Sequence, residues 1–158
     1  MSADLNPPRR ILALDLGQAR IGVAVSDLLG WTAQPLEVIQ TRRPPVAIAR
    51  IKKLVEEYEA GTVLLGMPYN MDGTEGPQAQ WVRQFGTRLA RAVKRVEIVY
   101  WDERLTTVES DQLLMEWGMN NKKRKARRDK IAAALILKSF LESRESQSGR
   151  RGGGGSGT

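Results

Sequence analysis

Ile11 to Asp27 reads ILALDLGQARIGVAVSD, two apolar runs of strand length around a short glycine-containing turn. Ile11 to Leu14 has the unbroken apolar character of a strand buried on both faces, and Arg20 to Val25 reads as its antiparallel return. Asp15 breaks the pattern where the first run ends. Gly17 follows at once, its missing side chain letting the backbone turn and leaving room beside the carboxylate. A carboxylate at the mouth of an apolar strand has to be hydrogen-bonded, protonated or holding a cation. An aspartate that caps a hairpin meets that requirement as well as a functional acid does, so the rest of the chain has to decide between them.

Outward from this hairpin, Pro35 to Gln40 supplies a third short strand and completes a meander. Val46 to Tyr58 carries Ile51, Leu54, Val55 and Tyr58 on one face, the spacing of an amphipathic helix, with Gly61 expected to close it. Thr62 to Met67, TVLLGM, is a second buried strand and leads into PYNMDGTEG. In that loop Asn70, Asp72 and Gly73 are turn residues and equally candidates for substrate contact. Gln78 to Val93 places Trp81, Phe85, Leu89 and Val93 on one helical face. Val96 to Trp101 is the next strand and ends abruptly in Asp102 and Glu103. Thr106, with Glu109 three residues on, opens a helix that stops near Gly118. A last helix from about Asp129 to Leu141 is apolar all round over Ile131 to Leu137 and belongs in the core.

Residues 1–8 read as a disordered N-terminus and residues 142–158, ending GGGGSGT, as a flexible tail, leaving one domain over 9–141. A meander followed by helix, strand, helix, strand and helices predicts an α/β fold: a mixed five-stranded sheet, an antiparallel three-strand meander plus parallel strands, with helices on both faces. Functional groups are then expected at the carboxyl ends of the parallel strands.

The 158 residues include no cysteine and no histidine. Thiol nucleophiles, disulfides, histidine bases and Cys/His zinc sites are therefore excluded together. Ile131 to Leu137 is the longest apolar run, far short of the ~20 residues that span a bilayer, so the expectation is a cytoplasmic protein with no membrane partner. The net charge is +7, yet Asn121 to Lys130, NKKRKARRDK, alone carries seven Lys or Arg against one Asp, a local +6. Charge concentrated in this way points to nucleic acid, although a solvated loop has the same composition. Arg20, Asn70, Lys122, Lys123, Arg124, Lys125, Arg127 and Arg128 are the candidate nucleic-acid contacts. Monomer and homodimer both remain open.

Under this topology Asp15 ends the first strand, Asp102 and Glu103 end a later one, and Asp129 opens the buried helix with Ala132, Ala133 and Ile136 on its face. Taken singly, each has a bland account: Asp15 caps the hairpin, Asp102 caps a turn, Glu103 pairs with Arg104, and Asp129 complements a helix dipole. Taken together, three segments deliver acids to one sheet edge. Without histidine, that set suits hard cations, Mg²⁺ or Mn²⁺, with Asp15, Asp102, Glu103 and Asp129 as ligands. Such a site would run metal-assisted hydrolysis of a phosphodiester.

DLGQARIGVAVSD, GMPYNMDGTEG, WDERLTT and DKIAAALIL, in this order, resemble the YqgF/RuvX family of bacterial nucleases over about Arg10 to Leu141. The resemblance implies a ribonuclease H-like fold and a site with Asp15, Glu103 and Asp129 as catalytic acids and Asp102 nearby. It further implies processing of the 5′ end of precursor 16S ribosomal RNA, with Holliday junction resolution on DNA as the alternative. Two positions depart from the family pattern. Ala19 stands where a lysine is common and removes a possible phosphate contact, and Tyr69 stands where leucine is common and offers an aromatic face for stacking. Two rival readings remain. An actin-like or sugar-kinase ATP-binding protein would need a second lobe, which this length does not supply; a non-catalytic RNA-binding module would use the basic run alone.

Overall fold

The structure, a computed structural model, describes residues 9–106, 128 and 130–145. β1 (Arg10–Leu16), β2 (Ile21–Ser26) and β3 (Ala33–Ile39) form the expected antiparallel meander. β4 (Ala60–Met67) and β5 (Glu97–Asp102) run parallel to β1 on its other side, giving the order β3-β2-β1-β4-β5. The unbroken apolar runs sit in the middle of this sheet, where both faces are covered. The edge strand β5 is only half-buried.

Strand periodicity divides the core in two. Leu12, Leu14, Val63 and Leu65 point to one face and pack on α1 (Pro44–Glu57) and α2 (Pro77–Ala92). Ile11, Ala13, Ala24 and Leu64 point to the other and meet Ala133, Ile136 and Leu137 of the helix over residues 130–145, α3. The small side chains on both sides of that second layer let α3 lie close to the sheet. Phe85 of α2 is among the largest fully buried side chains. Its truncation to alanine would cost about 3–5 kcal/mol, several times what an exposed ion pair such as Arg50 with Glu37 contributes. Apolar layering, and not surface charge, therefore holds the frame on which the acids are mounted.

The helices begin where proline places them. Pro44 and Pro77 occupy first-turn positions, and neither α1 nor α2 has a side-chain cap. Gly61 does not close α1, contrary to the sequence expectation. The helix ends at Tyr58, Glu59 takes the left-handed conformation at φ 51, and β4 starts at Ala60. Gly61 is needed inside the strand instead, because a Cβ there would stand 2.8 Å from Cδ of Arg9. α3 is buried as expected along Ile131 to Leu137 and continues through residue 145, past the domain edge read at Leu141. The helix expected from Thr106 to Gly118 lies outside the described residues beyond Thr106 itself. Among the described residues no helix is long and apolar enough to cross a membrane.

Candidate active site

Asp15 lies one residue inside the end of β1, on the face that α3 covers. It pairs with Gly22 of β2. On its other side the register Leu14 with Leu65 carries forward to place it beside Gly66 of β4, which in turn pairs with Trp101 of β5. The sheet row Gly22, Asp15, Gly66, Trp101 thus has a carboxylate between two residues without side chains. Trp101 closes the row, donating its indole N–H to Oγ of Ser139 at 3.2 Å and standing edge-on to Phe140 of α3.

Glu103 enters the space that Gly66 leaves. It is the first residue of the 3-10 turn Glu103–Leu105 that follows β5. A Cβ on Gly66 would meet Oε1 of Glu103 at 2.6 Å and Cδ1 of Ile136 at 2.7 Å. Glu103 and Asp15 are hydrogen-bonded, and the Glu103 carboxyl is pushed up to about 8. Loss of water is the first cause, followed by the Asp15 charge, the hydrogen bond to Asp15 and the Asp102 charge. At neutral pH the pair accordingly holds a proton, with Glu103 donating to the Asp15 carboxylate. A pair of hard oxygen donors that has to share a proton when left to itself is a fitting seat for a divalent cation, which would replace that proton.

Asp102 does not join them. It pairs with Met67 on the opposite, α1/α2 face, so strand parity separates it from Asp15 and Glu103. Its Oδ1 accepts from the Arg104 backbone N–H at 2.9 Å. The Arg104 guanidinium grips both carboxylate oxygens at 2.8–3.1 Å, holding the group below its usual carboxylate range. The turn-capping account is thus the one realised for Asp102, and Arg104 pairs with it and not with Glu103. Among the described residues no group of three or more potential metal ligands converges. The remaining acid of the sequence set, Asp129, lies outside the described residues, as do Lys122, Lys123, Arg124, Lys125 and Arg127.

Two further side chains fix the hairpin turn that follows Asp15. Arg42 donates to the Gly17 carbonyl at 2.9 Å and to Oε1 of Gln78 at 3.3 Å, with its guanidinium 4.0 Å over the Trp81 ring; Gln78 donates to the Leu16 carbonyl at 2.9 Å. Gly17 has a negative φ and earns its place by close approach, since a Cβ would sit 3.0 Å from the Arg20 carbonyl. Arg20 is half-buried in this turn, and Arg128 is exposed and helical next to α3.

The loop after β4 is tied at both ends. Asn70 spends its side-chain amide on Oγ1 of Thr74 at 2.9 Å, and Asp72 accepts from the Thr74 N–H at 3.0 Å and its hydroxyl at 2.6 Å. Gly73, at φ 88, donates to the Asn70 carbonyl. Tyr69 does not offer a free aromatic face: it is half-buried against the core, takes a hydrogen bond from Arg83 on its hydroxyl, and has Arg104 5.5 Å above its ring.

Sequence reasoning missed Gly66, Arg42 and Gln78, and gave Arg104 the wrong partner. Only Gly66 left a trace, as a glycine inside an apolar strand, the usual sign of something approaching the backbone closely.

A five-stranded mixed sheet with helices on both faces and an acid pair at the end of β1 and β5 defines a ribonuclease H-like fold of the nuclease type. Thermus thermophilus RuvC, solved in complex with a Holliday junction substrate, superimposes with a TM-score of 0.53 at 14% identity, over 85% of this chain and 96% of that one. Residues 9–143 match the family model described as "RuvX: Holliday junction resolvase", and the chain belongs to that family. A Pelotomaculum thermopropionicum relative is 47% identical over 85% of this chain and 87% of its own length, and an Acetivibrio thermocellus relative 46% over 85% and 96%. Both carry the name "Putative pre-16S rRNA nuclease".

Proposed function

We propose that this protein is a divalent-metal-dependent nuclease that hydrolyses phosphodiester bonds in precursor 16S ribosomal RNA, in the cytoplasm. The observation that carries this reading is the Asp15–Glu103 pair, two carboxyl groups hydrogen-bonded to each other under α3, with Glu103 in the space that Gly66 leaves. The substrate is taken from the relatives' names.

In this mechanism Asp15 and Glu103 hold Mg²⁺ or Mn²⁺, with Asp129 as a third ligand on the strength of its sequence position. The bound ion would neutralise phosphate charge and lower the pKa of a water in its shell. Glu103 gives up its proton when the site is loaded, so both carboxylates are then charged. Gly22 puts no side chain beside Asp15, and Gly66 gives up its space to Glu103, so the two acids can meet. Arg20, Arg128 and the basic run Lys122 to Arg127 position that backbone without reading its sequence. Asp102 serves the site indirectly, by capping the turn that carries Glu103.

The test is a cleavage assay with purified protein and Mg²⁺ or Mn²⁺ on three substrates: single-stranded RNA spanning the 5′ boundary of 16S RNA, single-stranded DNA of the same sequence, and a four-way DNA junction. Metal-dependent cleavage of the RNA, lost in Asp15→Asn and Glu103→Gln, is the expected result. Wild-type turnover by both variants would remove the acid pair from the mechanism. Preferential cutting of the junction would instead favour the activity by which the family model is described.

A further inference from the structure

Met71 is 98% exposed, the most exposed large apolar side chain among the described residues. Its backbone is nevertheless held from several sides. The Asn70 N–H donates to the Thr74 carbonyl at 2.9 Å, closing the loop around Met71, and Asp72 and Thr74 are bonded to each other. Arg104 donates to the carbonyls of Asn70 and Met71 at 3.4 and 3.3 Å while fixed to Asp102 by its other nitrogens. The same arginine follows Glu103 directly in the chain. Leu105, on its other side, is 58% exposed. A loop braced in this way presents an apolar side chain to solvent and is tied through Arg104 to the turn that carries Glu103.

We propose that Met71, assisted by Leu105, is the base-contacting residue of the site, packing against an unpaired nucleobase next to the phosphodiester to be cut. This rests on the nuclease reading above and extends it to a substrate class, a strand whose bases are unpaired at the cleavage point. The chemistry fits that partner. A thioether is polarisable, flexible and favourable against an aromatic edge or face. Every base has a π-face that an apolar side chain can cover, and in a paired helix that face is already stacked. Protruding methionine and leucine side chains act as wedges between bases in other nucleic-acid complexes. Tyr69, the aromatic residue of this loop, is occupied by Arg83 and Arg104 and leaves the role to its neighbour.

The experiment measures binding in chelator, so that nothing is cut, of wild type, Met71→Ser and Met71→Leu to a single-stranded oligoribonucleotide and to the same strand in a blunt duplex. Melting temperatures of the three proteins should agree, because the side chain is solvated. Met71→Ser should weaken single-strand binding about two- to tenfold, the range expected for a thioether on an aromatic ring. It should leave duplex binding and the salt slope unchanged, and Met71→Leu, which keeps the apolar bulk but not the thioether, should restore part of the loss. Equal single-strand affinity of Met71→Ser and wild type overturns the assignment while leaving the nuclease reading intact. Equal losses on strand and duplex overturn it too, since the loop would then act through the backbone. A wild-type protein that binds neither RNA would overturn the nuclease reading itself, and this inference with it.

Discussion

Gly66 and Glu103 occupy one space: the Cβ that Gly66 lacks would lie 2.6 Å from Oε1 of Glu103 and 2.9 Å from its Cγ. The glycine on β4 is what lets the acid from the end of β5 reach across to Asp15 on β1.

Gly66→Ala should therefore separate stability from activity. The obstructing atoms belong to side chains that can swing away, so the fold should lose only about 1–3 kcal/mol, as overpacking of a core usually costs. Glu103, however, would have to leave Asp15. A displacement near 1 Å is enough to cost about 10²-fold in rate. Denaturant melts and turnover on the same RNA measure the two effects. A variant that keeps full turnover would show that the contact of Glu103 with Asp15 is not what the reaction needs.

The acid pair also sets a pH dependence in chelator. Glu103 has its carboxyl raised from 4.5 to about 8 by burial and by Asp15, so the fold prefers it protonated. Its contribution is complete below the unfolded value and is lost as pH rises through about 8. Wild type should accordingly lose melting temperature between about pH 5 and 8 in chelator, and Glu103→Gln should lack that component. Added Mg²⁺ or Mn²⁺ should bind more tightly across the same window as the proton is released, and should raise the melting temperature. Above about pH 8, where both carboxyls would otherwise be charged, Asp15→Asn removes the repulsion and should be at least as stable as wild type in chelator, and it should respond less to metal. A clear loss of stability in Asp15→Asn above about pH 8 would return Asp15 to the role of a hairpin cap.

The central strands β1 and β4 were legible because Ile11 to Leu14 and Val63 to Leu65 are apolar without alternation, as doubly covered strands are. Asp15 and Glu103 were legible only as members of a set with Asp102 and Asp129, because Asp15 and the Asp102–Glu103 step end strands that reach the same sheet edge. What separates Asp102 from Glu103 is a parity of one residue, fixed by the register of Met67 against Asp102 and visible only once β4 and β5 are aligned. The tail of α1 misled for a similar reason. A glycine three residues after Tyr58 resembles a helix terminator, but Glu59 supplied the left-handed turn and Gly61 was required by the Arg9 side chain. The bracing by Arg42, Gln78 and Arg104 joins residues 25 to 62 positions apart and leaves no local pattern to read.

Arg104→Lys should loosen the loop after β4 more than it destabilises the protein. Lysine keeps the charge but has no planar fork to hold Asp102 while also reaching the Asn70 and Met71 carbonyls. The ion pair is exposed, so its loss should cost global stability less than about 1 kcal/mol. Amide exchange at Gly73 and Thr74 should accelerate well beyond that of the β1 and β4 amides, and single-strand affinity should fall. Unchanged exchange in the loop would mean that its own Asn70, Asp72 and Thr74 bonds suffice to hold it.

The basic run is the remaining claim on nucleic acid that rests on charge. Lys122 to Arg127 lie in sequence just ahead of the helix that packs beside Gly66. If these bases grip phosphates, they position the strand and perform no chemistry. Each lost contact should then lower the salt slope of single-strand binding by about 0.7, and replacing Lys122, Lys123, Arg124 and Lys125 with serine would remove up to about 3. Affinity should fall broadly across sequences because backbone contacts carry no base information. Turnover at saturating RNA should survive, since Asp15 and Glu103 remain paired. A solvated loop predicts an unchanged slope and affinity, so a salt titration of the quadruple variant beside wild type decides between the two. In combination with Met71→Ser the effects should add in free energy. Phosphate grip would appear in the slope and base contact in the intercept, because only the first releases counterions.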